Sequence, residues 1–312
     1  MPAATITNQT NGRQVGGTEQ PDDFEANTLE KSGSNWAHRS RNPSGGANWQ
    51  LPRGVSSGTW DYVRGRGIAD GYDRFLENDP LTIVDRKVLD RYLPRLLDSN
   101  ERDNRVGPLV ADFGCGSGRH VLQLAYSGYQ VLAVDLSWPM LNCLETKLQA
   151  ADDLPSNVFL LQANLVELAG IRSATLDHAV CFFSTLGMIQ GRQHRQLFLE
   201  HVRRLVKPGG QFVLHVHNLW FHARHPGGKR WLVANGLAAL NGKTEWGDRF
   251  ARYRGVNNMF IHSFRRCELR RDLAQAGFEQ LEWFGIGAQQ TEVRPVRWWN
   301  ALGLVGWIVV AK

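Results

Sequence analysis

Cysteine is scarce in this sequence, and no apolar run is long enough to cross a membrane. The four cysteines among 312 residues form no Cys-x-x-Cys pair, which argues against a disulfide framework and against a zinc site. The longest apolar stretch, residues 303–311, is about half of what a bilayer-spanning helix needs. The first residues also lack the apolar core of a signal peptide. We therefore expect a soluble cytoplasmic protein that does not bind a membrane.

Aliphatic residues are sparse in residues 1–58, which are rich in Gly, Ser, Asn, Thr and Gln and show no periodicity. Such a segment cannot bury enough apolar area to offset the entropy lost on ordering. We predict a disordered N-terminal arm over 1–58 and one folded domain over 59–312.

The folded part begins with a helical pattern and continues with alternating strands and helices. Apolar residues at helical spacing predict an N-terminal helical cap within 59–105. The alternation that follows predicts a parallel sheet with helices on both faces. Predicted strands cover residues 109–113, 130–135, 158–162, 178–182, 211–217, 279–284 and 307–311.

The positive charge of the chain is concentrated in one segment. Residues 219–255 hold seven basic and two acidic residues, together with five Trp or Phe rings. We interpret the segment as a substrate-side insertion. Basic residues interleaved with aromatic ones suit a nucleic acid, but an amphipathic lid over a small substrate has the same composition, and we favour the lid.

The strongest motif is a glycine-rich turn between a strand and a helix. Gly114, Gly116 and Gly118 follow the apolar strand 109–113 and precede a helical pattern. Glycines let the backbone turn sharply and approach a ligand, and the helix N-terminus favours an anionic group. A dinucleotide fingerprint would need glycine at position 119, where this chain has Arg119.

Three further features follow in order along the chain. The next strand ends in Asp135, placed to accept hydrogen bonds from ribose hydroxyls. Asn164 follows the strand after that, and residues 207–210 form a Lys-Pro-Gly-Gly turn. Each has a plainer explanation, as a helix cap, a turn residue or a chain reversal, but the order and spacing favour a common function.

These motifs together resemble the class I S-adenosylmethionine-dependent methyltransferases over residues 109–312. The resemblance implies a Rossmann-like, doubly wound α/β fold with a seven-stranded sheet in the order 3-2-1-4-5-7-6 and an antiparallel strand 7. It implies S-adenosylmethionine as cofactor, with Gly114 and Gly116 at its methionine part, Asp135 at the ribose, and Asn164 with Leu165 at the adenine. Many members carry Asp where this chain has Asn164. The full predicted cofactor-binding set is Asp112, Gly114, Gly116, Gly118, Asp135, Leu136, Asn164, Leu165 and Phe182.

A narrower resemblance covers residues 259–278, which are similar to a segment of wobble-uridine tRNA methyltransferases. Many small-molecule methyltransferases share a similar stretch, so the segment does not decide between the two acceptor classes.

Histidines cluster at the end of the strand 211–217. Methyl transfer to oxygen or nitrogen releases a proton, and imidazole is suited to take it near neutral pH. His217 is our candidate base, and His215 is a poorer one because it lies deeper in the strand; both are alternatively structural. A metal site built from these two with His222 and His225 is conceivable, but no acidic residue lies nearby, and we predict no metal.

Two further segments are expected at the acceptor side. Residues 182–189 would border the methyl group, and Tyr72 could form a lid by analogy with the family. We predict an enzyme that methylates an oxygen or nitrogen, with a small-molecule acceptor favoured over tRNA or other RNA. A nicotinamide-dependent oxidoreductase and a binding protein that has lost catalysis remain the alternatives.

Overall fold

The computed structural model of this chain describes residues 51–76, 79–96, 107–151, 157–242, 244–287, 293–296 and 301–312. No helix in these ranges is long and apolar enough to span a bilayer.

Ten strands form one large sheet and one separate hairpin in the described part of the chain. They are β1 (Leu109–Phe113), β2 (Gln130–Asp135), β3 (Val158–Gln162), β4 (Leu176–Cys181), β5 (Val206–His217), β6 (Asp248–Tyr253), β7 (Val256–His262), β8 (Leu281–Gly287), β9 (Val293–Pro295) and β10 (Leu304–Ala311).

The large sheet has the order β3-β2-β1-β4-β5-β10-β8-β9. Strands β1 to β5 pair in parallel, and β10 is antiparallel to both β5 and β8. With β8 as strand 6 and β10 as strand 7, the predicted order 3-2-1-4-5-7-6 is confirmed. The predicted count of seven is corrected to eight, because β9 adds a short edge strand beside β8. Three residues ending in Pro295 are too few to produce a periodic signal.

Ten α-helices cover the sheet and its carboxyl edge within the described ranges. They are α1 (Ser57–Arg64), α2 (Arg66–Asp70), α3 (Tyr72–Leu76), α4 (Pro80–Tyr92), α5 (Arg119–Tyr126), α6 (Trp138–Gln149), α7 (Thr185–Met188), α8 (Arg192–Leu205), α9 (Gly228–Leu240) and α10 (Arg266–Gln275). Two short 3₁₀ helices span Leu219–Arg224 and Ala301–Gly303.

The core has two layers because strand side chains alternate between the faces of the sheet. In β5, Leu214 and Val216 join a cluster with α8 and α10, whereas Val213 joins one with α4, α5 and α6. Val88 and Leu89 of α4 are almost fully buried in the second layer. The helical cap is therefore part of the main core.

The predicted N-terminal arm lies mostly outside the described residues, which begin at residue 51. Its last eight residues are described, and they pack on the domain. Ser56 is buried and caps α1 by accepting a hydrogen bond from the backbone of Thr59, 3.1 Å away. The carbonyl of Gly54 accepts one from the backbone of Gln190 at 2.7 Å. Residues 51–58 thus belong to the folded body.

The segment 219–255, predicted as an insertion, contains a 3₁₀ helix, α9 and strand β6. Its last strand pairs with β7, so the folded unit continues to His262. The hairpin β6–β7 packs against α1 and α7, which border the carboxyl edge of the parallel strands.

Candidate active site

The three glycines of the turn after β1 have different structural roles. All have positive φ, with values of +78° at Gly114, +54° at Gly116 and +86° at Gly118. A Cβ atom would overlap Thr185 at Gly114 and Leu144 at Gly118. At Gly116 the nearest atom would be Tyr72 Cε1, 3.5 Å away, across open space. Gly116 therefore leaves room for a ligand, whereas Gly118 leaves room for the core.

Asp135 ends β2 directly beside this turn. Its Oδ2 accepts a hydrogen bond from the Gly116 N–H and its Oδ1 accepts one from the Ser137 N–H, both at 2.8 Å. Burial raises the pKa of Asp135 while these backbone donors oppose the rise. Each carboxylate oxygen retains a further lone pair, which suits a ligand that carries two hydroxyl groups.

Asn164 follows β3 at the same edge of the sheet. Its Nδ2 donates to the carbonyl of Arg53 at 3.0 Å, and its Oδ1 accepts from the Val166 N–H at 3.3 Å. An aspartate could not donate to Arg53, which gives a local reason for asparagine here. Leu165, the next residue, is buried beside the same cavity.

A single cavity of about 260 Å³ joins these groups. Seven of the eleven predicted site residues line it: Gly114, Gly116, Asp135, Leu136, Asn164, Leu165 and His217. The other four, namely Asp112, Gly118, Phe182 and His215, are absent from its lining.

Two of these four residues are buried near the carboxyl ends of β1 and β4. Asp112 is buried on β1, and burial raises its pKa to about 7, helped by the negative charges of Asp135 and Asp85 and opposed by Arg119. Phe182 turns into the core, with its ring centroid 4.7 Å from that of His120.

The next residue, Phe183, belongs to the segment 182–189 that we expected to border the methyl group, and it lines the cavity where Phe182 does not. Phe183 has a φ of +53°, and this turn places it on the cavity wall. The guanidinium carbon of Arg119 lies 5.9 Å from the centre of its ring.

The histidines in and just after β5 lie in different environments. His217 lines the cavity, and its backbone N–H donates to Ser184 Oγ at 3.2 Å. His215 is fully buried, with Nδ1 2.9 Å from Asp85 Oδ1. His222 Nε2 lies 3.2 Å from Ser263 Oγ. Among the described residues, His215, His217, His222 and His225 do not form a group at metal-ligand spacing.

One other group does have metal-ligand spacing within the described ranges, and it consists of Glu245, His262 and Glu268. Its charges are already paired inside the protein. His262 Nδ1 lies 2.8 Å from Asp248, and Nε2 lies 3.0 Å from Glu268. Burial would lower the pKa of His262, but the two carboxylates outweigh burial and raise it. Glu245 pairs with the buried Arg195. We therefore interpret the group as an ion-pair network that stabilises the hairpin.

The other wall of the cavity comes from the helical cap and the hairpin. Tyr62, Tyr72 and Tyr253 line it, together with Met259 and Asp79. Burial raises the pKa of all three tyrosines, so their hydroxyl groups stay protonated and can donate hydrogen bonds. Tyr72 was expected at this place from the resemblance alone.

None of the six described basic residues of 219–255 is among the residues that line the cavity, and Lys243 lies outside the described residues. Among the described residues, those that line it include no lysine or arginine. Arg249 is buried against His222, at 3.2 Å between Nη1 and Nδ1. The guanidinium of Arg254 lies over the ring of Tyr72 and donates to the carbonyl of Ile68. Four more are exposed to solvent: Arg224, Lys229, Arg230 and Arg252.

Most aromatic rings of the same segment pack internally. Trp220 and Trp246 form an edge-to-face pair with centroids 5.6 Å apart, and Trp231 packs on His222 at 4.8 Å. Phe221 lines the cavity. Phe250 is the exposed one, at 51 % of its surface.

Comparison with known proteins places this arrangement among methyltransferases. Residues 110–210 match the family model described as a methyltransferase domain. Cypemycin N-terminal methyltransferase of Streptomyces is 32% identical over 108 residues, which is 35% of this chain and 41% of that protein. The chain thus spans about two fifths of the length of the curated relatives it matches.

Two solved structures show the same fold. The CcbJ methyltransferase of Streptomyces caelestis has a TM-score of 0.55 and 19% identity, with 80% of this chain and 98% of that one covered. The 1,6-didemethyltoxoflavin-N1-methyltransferase of Burkholderia thailandensis has a TM-score of 0.52 and 18% identity, with 84% and 91% covered.

Proposed function

We propose that this chain moves a methyl group from S-adenosylmethionine to an oxygen or nitrogen of a small molecule. It belongs to the class I S-adenosylmethionine-dependent methyltransferase superfamily. One observation carries the proposal. A single cavity extends from Gly116 and Asp135 to His217 and the tyrosines of the opposite wall. This cavity brings the proposed cofactor residues and the proposed acceptor residues to one space, and direct transfer requires that the two reactants meet in such a place.

The residues of the cofactor half fit the parts of S-adenosylmethionine. The open face of Gly116 would lie against its methionine part, Asp135 would accept from the ribose hydroxyls, and Asn164 with Leu165 would border the adenine. When bound, the cofactor supplies an electrophilic methyl group on a positively charged sulfur. Apolar residues around that position, such as Met188 and Ile189, exclude water and protect it.

His217 is the residue we assign to proton removal. It ends β5 at the carboxyl edge of the sheet, where ligands of this fold bind, and it lines the cavity. Its imidazole would accept the proton that the acceptor loses on methylation. Burial and the 2.9 Å contact with Asp85 favour a structural role for His215.

The cavity wall favours a small acceptor over RNA. A polyanion needs cations at its binding site, but no lysine or arginine is among the lining residues that the structure describes. One related structure also supports a small acceptor, since it is a 1,6-didemethyltoxoflavin-N1-methyltransferase with 1,6-didemethyltoxoflavin bound. The names of two relatives, which specify an N-terminal and an N1 acceptor, are consistent with nitrogen.

RNA is a second candidate because of exposed basic and aromatic residues in 219–255. Arg224, Lys229, Arg230 and Arg252 are exposed, as is the ring of Phe250. If these residues bind RNA, the logarithm of the binding constant should fall with that of salt concentration by about 0.7 for each phosphate contact on a single strand. A small acceptor with one charge should show a slope of about 1 or less.

A nicotinamide-dependent oxidoreductase fits less well. The glycine-rich turn continues into Arg119 where a dinucleotide fingerprint has its third glycine. The antiparallel β10 between β5 and β8 is the strand arrangement that the methyltransferase resemblance implied.

Transfer of a labelled methyl group tests the proposal. The protein is incubated with methyl-labelled S-adenosylmethionine and a cell extract, either filtered to retain small molecules or enriched in RNA, with and without RNase. We expect label in small molecules, insensitive to RNase. Label that appears only in RNA would establish the second candidate, and label in neither fraction, together with no binding of the cofactor, would refute both.

A further inference from the structure

Asp79 places a second carboxylate on the cavity wall, in addition to that of Asp135. It caps α4, with its Oδ1 accepting a hydrogen bond from the Leu81 N–H at 2.9 Å. Its residue surface is only 4 % exposed. Asp79 therefore caps a helix and also lies on the wall of the cavity.

A buried carboxylate is stable only when other groups compensate its charge. Burial raises the pKa of Asp79, and the Leu81 N–H, Arg119 and His215 oppose that rise without cancelling it. Arg119 does not line the cavity, and its Nη2 lies 3.0 Å from His120. On the cavity side, the described lining residues thus offer Asp79 no lysine or arginine.

Aromatic rings surround the same space. Tyr62 and Tyr253 pack with their ring centroids 5.8 Å apart, and Tyr72 lines the cavity beside them. The face of an aromatic ring carries partial negative charge and attracts cations within about 6 Å. The guanidinium of Arg254 already lies over the Tyr72 ring, so it is the Asp79 carboxylate, with the rings of Tyr62 and Tyr253, that makes this wall favourable for a further positive charge.

We propose that the acceptor is a primary or secondary amine and that Asp79 selects it by pairing with the positive charge on its nitrogen. This inference rests on the proposed methyltransferase function and narrows its acceptor from oxygen or nitrogen to an amine nitrogen. It also predicts that carboxylate-bearing and phosphorylated acceptors are rejected, since they would lie against the Asp79 carboxylate.

The charge balance of amine methylation explains why a carboxylate helps. An amine enters as the ammonium ion, and its proton leaves to the His217 imidazole. The nitrogen lone pair then forms the new bond to the methyl carbon as the carbon–sulfur bond breaks, and that electron pair stays on sulfur. Positive charge thereby moves from sulfur to the nitrogen of the methylated ammonium product. Asp79 would stabilise the charge as it develops on nitrogen.

The test separates the charge of Asp79 from its capping role. Asparagine caps helices about as well as aspartate, so Asp79→Asn keeps the cap and removes the charge. Asp90→Asn is the matched control, because Asp90 lies on the same helix, is exposed and bonds only to Gln123 among the contacts described. Both variants are titrated calorimetrically with S-adenosylhomocysteine and, in its presence, with benzylamine, phenethylamine and tryptamine and their matched alcohols and carboxylates.

For the wild-type protein we expect amines to bind at least ten times more tightly than the matched alcohols, and carboxylates to bind least. Asp79→Asn should lose that preference while its affinity for S-adenosylhomocysteine stays within about twofold, and Asp90→Asn should behave as wild type. Amine affinity no greater than alcohol affinity would overturn the inference, as would an unchanged amine preference in Asp79→Asn. So would a selective loss of S-adenosylhomocysteine binding in Asp79→Asn, since the carboxylate would then serve the cofactor. Failure of the wild-type protein to bind S-adenosylhomocysteine would instead refute the proposed function.

Discussion

Asp135→Asn should weaken cofactor binding while leaving the domain folded. The carboxylate oxygens of Asp135 each accept one backbone N–H, from Gly116 and Ser137, and each has a lone pair left for a ribose hydroxyl. An amide keeps only one accepting oxygen and carries no charge. Hydrogen bonds to a charged group contribute about 1.5–3 kcal/mol each, against about 0.5–1.5 kcal/mol for neutral ones. We expect a loss of about 1.5–3 kcal/mol in binding free energy, or roughly 10- to 100-fold in affinity.

The substitution also costs stability, which has to be measured separately. The new amide group would face one of the two backbone N–H groups and leave it unpaired, at a cost of about 1–3 kcal/mol. Asp177→Asn is the control, because Asp177 accepts the Leu109 N–H at 2.8 Å and lies outside the cavity lining. Calorimetric titration with S-adenosylhomocysteine should show weaker binding for Asp135→Asn alone. Equal affinities in the wild-type protein and Asp135→Asn would refute the assignment of this carboxylate to the ribose.

Three further outcomes follow from the structure. Gly116→Ala should lower S-adenosylhomocysteine affinity at least tenfold and cost only about 1–2 kcal/mol of stability, because alanine would be in a left-handed conformation. Gly118→Ala should unfold far more easily, because its Cβ would overlap Leu144. Equal losses of stability for the two variants in urea titrations would contradict this distinction. Because the folded pKa of His262 is raised, its stabilising contribution is complete below the unfolded pKa of about 6.5 and is lost as pH rises through the folded value. The free energy of unfolding should fall over that interval in the wild-type protein and less steeply in His262→Gln, and parallel pH profiles would contradict the ion-pair account. Removal of residues 1–50 should leave S-adenosylhomocysteine affinity and the melting temperature nearly unchanged, and a fall of more than a few degrees would show that this segment stabilises the domain.

The parallel sheet could be predicted because its strands have a recognisable sequence pattern. Strands buried on both faces appear as continuous apolar runs, as in 109–113 and 130–135, and each is followed by a helical pattern. The glycine turn and Asp135 could be placed by the same logic, since both follow such runs.

The hairpin that forms the opposite wall could not be predicted in this way. In β6, Arg249 is buried and Phe250 is 51 % exposed, which reverses the expected alternation of apolar and polar residues. Arg249 tolerates burial because His222, distant in sequence, contacts its guanidinium. Only the tertiary structure brings those two residues together, so the position of the hairpin, and with it Tyr253 on the cavity wall, was missed.

The direction of the side chain could not be predicted from the sequence at two further positions. Phe182 and Phe183 are adjacent and chemically identical, and the positive φ of Phe183 decides which of them faces the cavity. Asp79 has the sequence context of an ordinary helix cap, since it precedes Pro80 and an apolar helix. Its position on the cavity wall depends on where α4 lies relative to the sheet.

Calorimetric titration of the full chain with S-adenosylhomocysteine and, in parallel, with NAD tests most directly whether the cavity binds a methyltransferase cofactor. We expect one site for S-adenosylhomocysteine, no binding of NAD, and a rise in stability of about 2.7 kcal/mol when the ligand is present at 100 times its dissociation constant. Binding of NAD without binding of S-adenosylhomocysteine would refute the methyltransferase assignment, and so would the absence of binding by either ligand.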